Sequence, residues 1–341
     1  MERSINLEIE PRKFLQNKHL QTIFTTIFPP KNNLRTLYES EVCILPCNDG
    51  SGDYLWLDHS PPILKSIHTQ KKVKFNGTYL VLFHGMEGSS DSHYIVSLAE
   101  SALEKGYGVI RVNLRGCGRG EGLSKKGYNA GLITDFKLVE DFVFKKFSRR
   151  VILCGFSLTA NTLLKYLASN PKSKSIFFSA VSPPLDLKKA CEHIDSRKGI
   201  FYRKVFLKSF EDKIERGIYQ ITAIQKERLE FMKTMFDYDD IVTGPNFGFR
   251  GALDYYKASS CIHNIYKLKK KGIIIHAEDD PLIPPESFQS IQWKKIPTVT
   301  PILTKNGGHV GFITKKSDLI PNGKWLDYIL LEYFEKDLKN K

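Results

Sequence analysis

The sequence predicts an α/β fold, with a mostly parallel sheet flanked by helices, and three observations carry that prediction. Short apolar runs rich in β-branched and aromatic residues recur along the 341 residues, each of strand length and each ended by Gly, Pro or a polar cluster. Amphipathic stretches of helical length separate them, and strand–helix alternation is the mark of a parallel sheet buried on both faces. The composition, 41% hydrophobic and 12% aromatic against 26% charged, is that of an ordinary folded protein.

Taken in order, the expected strands fall at 79–84, 109–114, 151–154, 176–181, 273–276 and 299–303, with helices at 94–104, 132–147 and 158–168 between the early ones. Extended pieces at 42–45 and 54–57 read as antiparallel edge strands within an N-terminal extension, residues 1–75. The segment 186–259 is mostly helical and too long for a simple crossover. It is expected to cap the carboxyl end of the sheet, where open α/β sheets bind their ligands. The whole of 1–341 is expected to form a single domain, with no repeat and no low-complexity tract.

The longest stretch free of charge, 151–164, is too short to span a bilayer as a helix. Glu2, Glu8 and Glu10 leave no room for the basic start and apolar run of a secretory leader, so a cytoplasmic protein is expected. The cysteines, at 43, 47, 117, 154, 191 and 261, include no Cys-x-x-Cys pair and read as buried free thiols; only Cys43 and Cys47 are close in sequence. A net charge of +14 can attract nucleic acid, acidic lipid headgroups or anionic substrates. Lysines are spread as small groups (Lys71-Lys72, Lys145-Lys146, Lys269 to Lys271, Lys315-Lys316) rather than gathered in one tract with aromatics, which argues against nucleic acid and leaves weak contact with an anionic membrane surface as a partner class.

The chemistry is carried by three loops that follow strands. Gly155-Phe156-Ser157 ends one strand and opens a helix, the setting of a nucleophile elbow, in which a tight turn exposes the serine hydroxyl beside a base. Thr159 stands where such elbows usually carry a second glycine. After the strand at 273–276 comes Asp279-Asp280-Pro281-Leu282-Ile283-Pro284, which places a carboxylate just past a strand end, and Asp280 is the expected acid. The only later histidine is His309, in the loop Asn306-Gly307-Gly308-His309-Val310-Gly311. Ser, acid and His then occur in the chain order of α/β-hydrolases, and that fold is the expectation, with Ser157 as nucleophile, Asp280 as acid and His309 as base. Backbone N–H groups of Met86, in His84-Gly85-Met86-Glu87-Gly88, and of Leu158 are the expected oxyanion donors. The run Gly116 to Gly122 has Glu121 where a dinucleotide fingerprint needs glycine, so it reads as a flexible loop at the rim of the site.

These motifs, with His19-Leu20-Gln21-Thr22, Asn113-Leu114-Arg115-Gly116-Cys117, Tyr238-Asp239-Asp240-Ile241-Val242-Thr243, Gly248-Phe249 and Asp254-Tyr255-Tyr256, make the sequence resemble the YheT-like α/β-hydrolases from about residue 17 to 330. The resemblance implies a carboxylesterase or lipase-like enzyme acting on short to medium acyl esters, lipid esters among them, with no metal or organic cofactor. It places the family triad on Ser157, Asp280 and His309, and departs from the family at Thr159-Ala160, where two glycines are usual. Acyl transfer by the same triad is one alternative. A non-catalytic acyl-binding protein, with the elbow distorted by Thr159, is the other.

Overall fold

The computed structural model describes residues 8–27 and 32–339, so Met1 to Leu7, on which part of the expectation about a leader rests, lie outside the described residues. Its centre is an eight-stranded sheet: β1 (Glu41–Pro46), β2 (Tyr54–Ser60), β3 (Thr78–Phe83), β4 (Gly108–Asn113), β5 (Arg150–Phe156), β6 (Phe177–Val181), β7 (Gly272–Ala277) and β8 (Val299–Thr304). Their spatial order is β1-β2-β4-β3-β5-β6-β7-β8. The pairs β1–β2 and β2–β4 are antiparallel and all others are parallel.

The helices are α1 (Lys18–Ile27), α2 (His93–Leu103), α3 (Ile133–Lys146), α4 (Leu158–Ser169), α5 (Leu187–Asp195), α6 (Ile200–Glu215), α7 (Ala223–Leu229), α8 (Met235–Tyr238), α9 (Gly244–Asn246), α10 (Ala252–Ser259), α11 (Glu286–Gln289) and α12 (Trp325–Lys339). Among the described residues none is long and apolar enough to cross a membrane.

Side-chain alternation in the strands builds two cores. From β3, Tyr79, Val81 and Phe83 point into a core with Phe136, Val139 and Val143 of α3 and Leu163, Leu164 and Leu167 of α4. Leu80 and Leu82 point the other way, into a core with Ile95, Leu98 and Ala102 of α2 and Trp325, Ile329 and Phe334 of α12. Strands so apolar on both faces are stable only when covered twice, which is why they read as continuous apolar runs in the sequence.

Because β3 to β8 run parallel, their carboxyl ends share one edge of the sheet. The turn after β3, the elbow after β5, the acidic loop after β7 and the histidine loop after β8 therefore meet there. Helices α5 to α10 all lie between β6 and β7. Asp186 starts α5 by accepting the Lys189 amide, Thr222 and Gln225 start α7 with a capping box, and a π-helical turn, Asp239–Thr243, separates α8 from α9.

Candidate active site

Ser157 has φ 55° and ψ −122°, a left-handed conformation that costs a non-glycine residue energy and turns its side chain out of the sheet. Its amide donates to the Val181 carbonyl of β6 at 2.8 Å, and Ala160 N–H returns to the Ser157 carbonyl at 2.9 Å, so the turn is tied at both ends. Gly155 is required: a Cβ there would lie 2.7 Å from the Thr159 carbonyl oxygen.

Thr159 does not distort the elbow. Its side chain is buried and its hydroxyl oxygen accepts the Phe156 N–H at 3.0 Å, within 2.8 Å of the Phe83 carbonyl and 2.9 Å of the Phe156 carbonyl. The threonine thus bridges the end of β3 to the elbow, which a glycine could not do.

The histidine loop brings His309 Nε2 to 2.8 Å from Ser157 Oγ and His309 Nδ1 to 2.7 Å from Asp280 Oδ2. The other oxygen of Asp280 accepts the amides of Leu282 at 2.8 Å and Ile283 at 3.0 Å, which fixes the carboxylate in its loop. Asp279 faces elsewhere: its Oδ1 accepts the Gly308 amide at 2.9 Å and so holds the histidine loop, while burial keeps its carboxyl above the usual range. The two neighbouring aspartates divide the work, one on the imidazole and one on the backbone beside it.

Two further residues supporting His309 come from the far end of the chain. The Thr22 hydroxyl of α1 accepts the His309 amide at 2.9 Å. Gln21 pairs twice with the backbone of Ile313, donating from Nε2 to its carbonyl at 2.9 Å and accepting its amide at 3.0 Å. Gly308 and Gly311 allow this approach, since a Cβ on Gly311 would lie 2.2 Å from the Gln21 carbonyl oxygen. The motif His19 to Thr22 stands out in the sequence, but nothing in its residue types signals contact with a loop some 290 positions later.

The turn after β3 lies directly behind the serine, for a Cβ on Gly85 would be 3.0 Å from Ser157 Cβ. His84 at its root is fully buried. It accepts the Leu114 amide on Nε2 at 3.1 Å and donates from Nδ1 to the Gly85 carbonyl at 2.7 Å, and burial lowers its pKa to about 4, so the ring is neutral. Met86 and Leu158 line the same cavity as Ser157. Neither amide meets a backbone or side-chain acceptor among the described residues, which leaves both free to bind an oxygen. Glu87 fixes the turn, with its amide on Tyr128 Oη at 2.8 Å and its carboxylate 3.0 Å from Lys213 of α6.

The cavity over Ser157 is walled by Leu187 and Ile194 of α5, Phe206 and Phe210 of α6, Val242, and Leu282 and Ile283 beside the acidic loop. Asp239 is the carboxylate in its lining; it accepts Tyr256 Oη at 2.7 Å, and burial, reinforced by Asp195, raises its pKa to about 6.

The run Gly116 to Gly122, expected as a flexible rim, is closely packed at its start, while a Cβ on Gly122 would meet nothing within 4 Å. Gly116 and Gly118 have positive φ, and a Cβ on them would lie 2.5 Å from the Tyr219 ring and 2.4 Å from Asn113 Oδ1 respectively. These two glycines permit tight packing rather than motion. All six cysteines are buried and free. Among the described residues no group of three or more His, Cys, Asp or Glu is arranged to hold a metal ion.

A sheet of this order, with a left-handed serine after β5 and an acid and a histidine after β7 and β8, defines an α/β hydrolase. The chain belongs to the α/β hydrolase fold family, whose sequence model matches residues 78–316. It is 27% identical to YheT of Escherichia coli over 99% of its own length and 96% of that protein's. It is 26% identical to a monoacylglycerol lipase of Saccharomyces cerevisiae over 70% of its own length and 55% of the other's. Among solved structures it is similar to the esterase Pf2001 of Pyrococcus furiosus, with a TM-score of 0.57 and 15% identity over 98% of this chain and 99% of that one. The chain is an enzyme of the esterase and lipase type within this family.

Proposed function

We propose that the protein hydrolyses carboxylic esters of short to medium acyl chains, lipid esters among them, through an acyl intermediate on Ser157. The observation that carries this reading is the unbroken contact chain Ser157 Oγ, His309, Asp280, at 2.8 and 2.7 Å, opening beneath an apolar cavity.

In the first half-reaction Ser157 Oγ attacks the ester carbonyl carbon while its proton passes to His309 Nε2. Asp280 holds the ring with its proton on Nδ1 and stabilises the imidazolium that forms. The carbonyl oxygen, now carrying negative charge, lies against the amides of Met86 and Leu158; each such donor is worth about 3 kcal/mol of barrier. The positive end of α4 points at the same place. His309 gives its proton to the departing alkoxide, the C–O bond breaks, and the alcohol leaves. Water then repeats the cycle on the acyl-serine and frees the acid. Helices α5 to α10 act as the cap, and their apolar side chains wall the acyl pocket.

The test is labelling of the full chain with a fluorophosphonate probe, together with hydrolysis of p-nitrophenyl butyrate and octanoate. Wild type is expected to react with the probe and turn over both esters, and Ser157→Ala to do neither. Undiminished hydrolysis by pure Ser157→Ala protein would remove the assignment.

A further inference from the structure

Helix α6 is apolar on two sides. Phe206 and Phe210 look into the cavity, while Ile200, Phe201 and Val205 stand 44%, 58% and 52% exposed on the outside. A helix that is apolar all round is normally covered all round. Beside it α1, joined to α6 where His19 Nδ1 lies 3.0 Å from Tyr202 Oη, exposes Leu20 at 43%. Large side chains gathered in this way on a surface mark a place where something else binds.

The charges around them say what. Residues 196–210 hold Arg197, Lys198, Arg203, Lys204 and Lys208 and no acid; the first acids of α6, Glu211 and Asp212, come only in its second half. Arg203 is turned inward, donating to the Asp195 carbonyl. Arg197, Lys198, Lys204 and Lys208 are exposed and enter no salt bridge among the described residues. Phe201, Lys204, Val205 and Lys208 follow one another at helical spacing, so apolar side chains and unpaired cations share a single stripe. Such a stripe suits the boundary of an anionic bilayer, where the rings enter the acyl region and lysine stems reach back to the headgroups.

We propose that the first half of α6 is a docking face for an anionic lipid surface. Docking as such is independent of the hydrolase chemistry. Its use, bringing the cavity wall formed by Phe206 and Phe210 to the surface from which lipid esters enter, rests on the function proposed above.

The experiment is co-sedimentation of the full chain with vesicles of phosphatidylcholine alone and of phosphatidylcholine mixed with phosphatidylglycerol, at low and high salt. Binding is expected on the mixed vesicles and is expected to fall with salt. Lys204→Gln and Lys208→Gln should each weaken it about fivefold, and the pair Phe201→Ser, Val205→Ser by at least about tenfold. All variants should turn over a water-soluble ester at the wild-type rate, which shows that they fold. The proposal is overturned if wild type does not sediment, if these substitutions leave sedimentation unchanged, or if the apolar pair instead converts a dimer to a monomer, in which case the face belongs to a second copy of the chain. Absence of ester turnover in wild type would count against the hydrolase reading alone and leave the vesicle result standing.

Discussion

Exchanging the two neighbouring aspartates for asparagine, one at a time, tests the proposed mechanism at the level of single protons. In Asp280→Asn the amides of Leu282 and Ile283, now 2.8 and 3.0 Å from Oδ1, demand an oxygen and so keep the new carbonyl where it is. The amide NH2 is then left facing His309 Nδ1, 2.7 Å away in the wild type. A nitrogen that receives a proton cannot also carry one, so the ring proton moves to Nε2. That atom, 2.8 Å from Ser157 Oγ, can no longer accept the serine proton. The comparable exchange in a serine protease costs about 10⁴ in kcat, and a loss of that order is expected here. Asp279→Asn is different in kind, because the amide oxygen can still accept the Gly308 N–H that now lies at 2.9 Å. Replacing a charged acceptor by a neutral one costs about 1 kcal/mol, or roughly fivefold in kcat if all of it reaches the transition state. The assay is kcat on p-nitrophenyl butyrate, with circular dichroism to confirm folding. A larger loss in Asp279→Asn than in Asp280→Asn, or a loss under tenfold in Asp280→Asn, would refute the reasoning.

Thr159→Val keeps the shape of the elbow but strands the Phe156 amide and the Phe83 carbonyl; urea unfolding should show a loss of about 1 to 3 kcal/mol, and unchanged stability would mean that the hydroxyl bridge contributes nothing. Thr22→Val leaves the His309 amide without its acceptor, and kcat is expected to fall about tenfold with KM unchanged; an equal rate would show that the loop holds its shape without α1. Burial lowers His84 and His93 to about 4, whereas in the unfolded chain they titrate near 6.5. Their contribution to stability is therefore complete above about 6.5 and is lost as pH falls towards 4, at most about 3 kcal/mol for each. Asp239, raised to about 6, works in the opposite sense over the same range and partly offsets that loss. Urea unfolding between pH 7 and 4.5 should show stability falling more gently in His93→Gln than in wild type, and an identical slope would exclude a neutral buried His93.

The central strands were legible because burial on both faces leaves nothing for the sequence to hide: the expected 79–84 and 109–114 became β3 (Thr78–Phe83) and β4 (Gly108–Asn113). The loops after them were legible because serine, acid and histidine follow one another in an order that few other folds share. Contacts between elements distant in sequence were not. Gln21 and Thr22 reach the histidine loop only after the chain has folded, and neither residue type carries a period or motif that points there. The glycines at 116 and 118 looked like freedom and are close packing, because composition cannot say whether the space beside a glycine is empty or filled by Tyr219 and Asn113. Thr159 looked like an obstacle for the same reason: its hydroxyl has partners in Phe83 and Phe156 that only the turn itself brings near.

The contact between Thr22 and His309 joins residues 287 positions apart. The family match starts at residue 78, so a protein trimmed to that boundary would keep Ser157, Asp280 and His309 but lose α1, which anchors the last of them, together with strands β1 and β2. Fluorophosphonate labelling of such a fragment is expected to fall below that of the full chain. During synthesis the same geometry acts as a delay: α1 leaves the ribosome long before its partner loop around His309 is made. A growing chain therefore cannot bring His309 onto Ser157 until residue 309 has emerged, and the appearance of probe labelling at Ser157 during translation would report that late closure rather than the onset of folding.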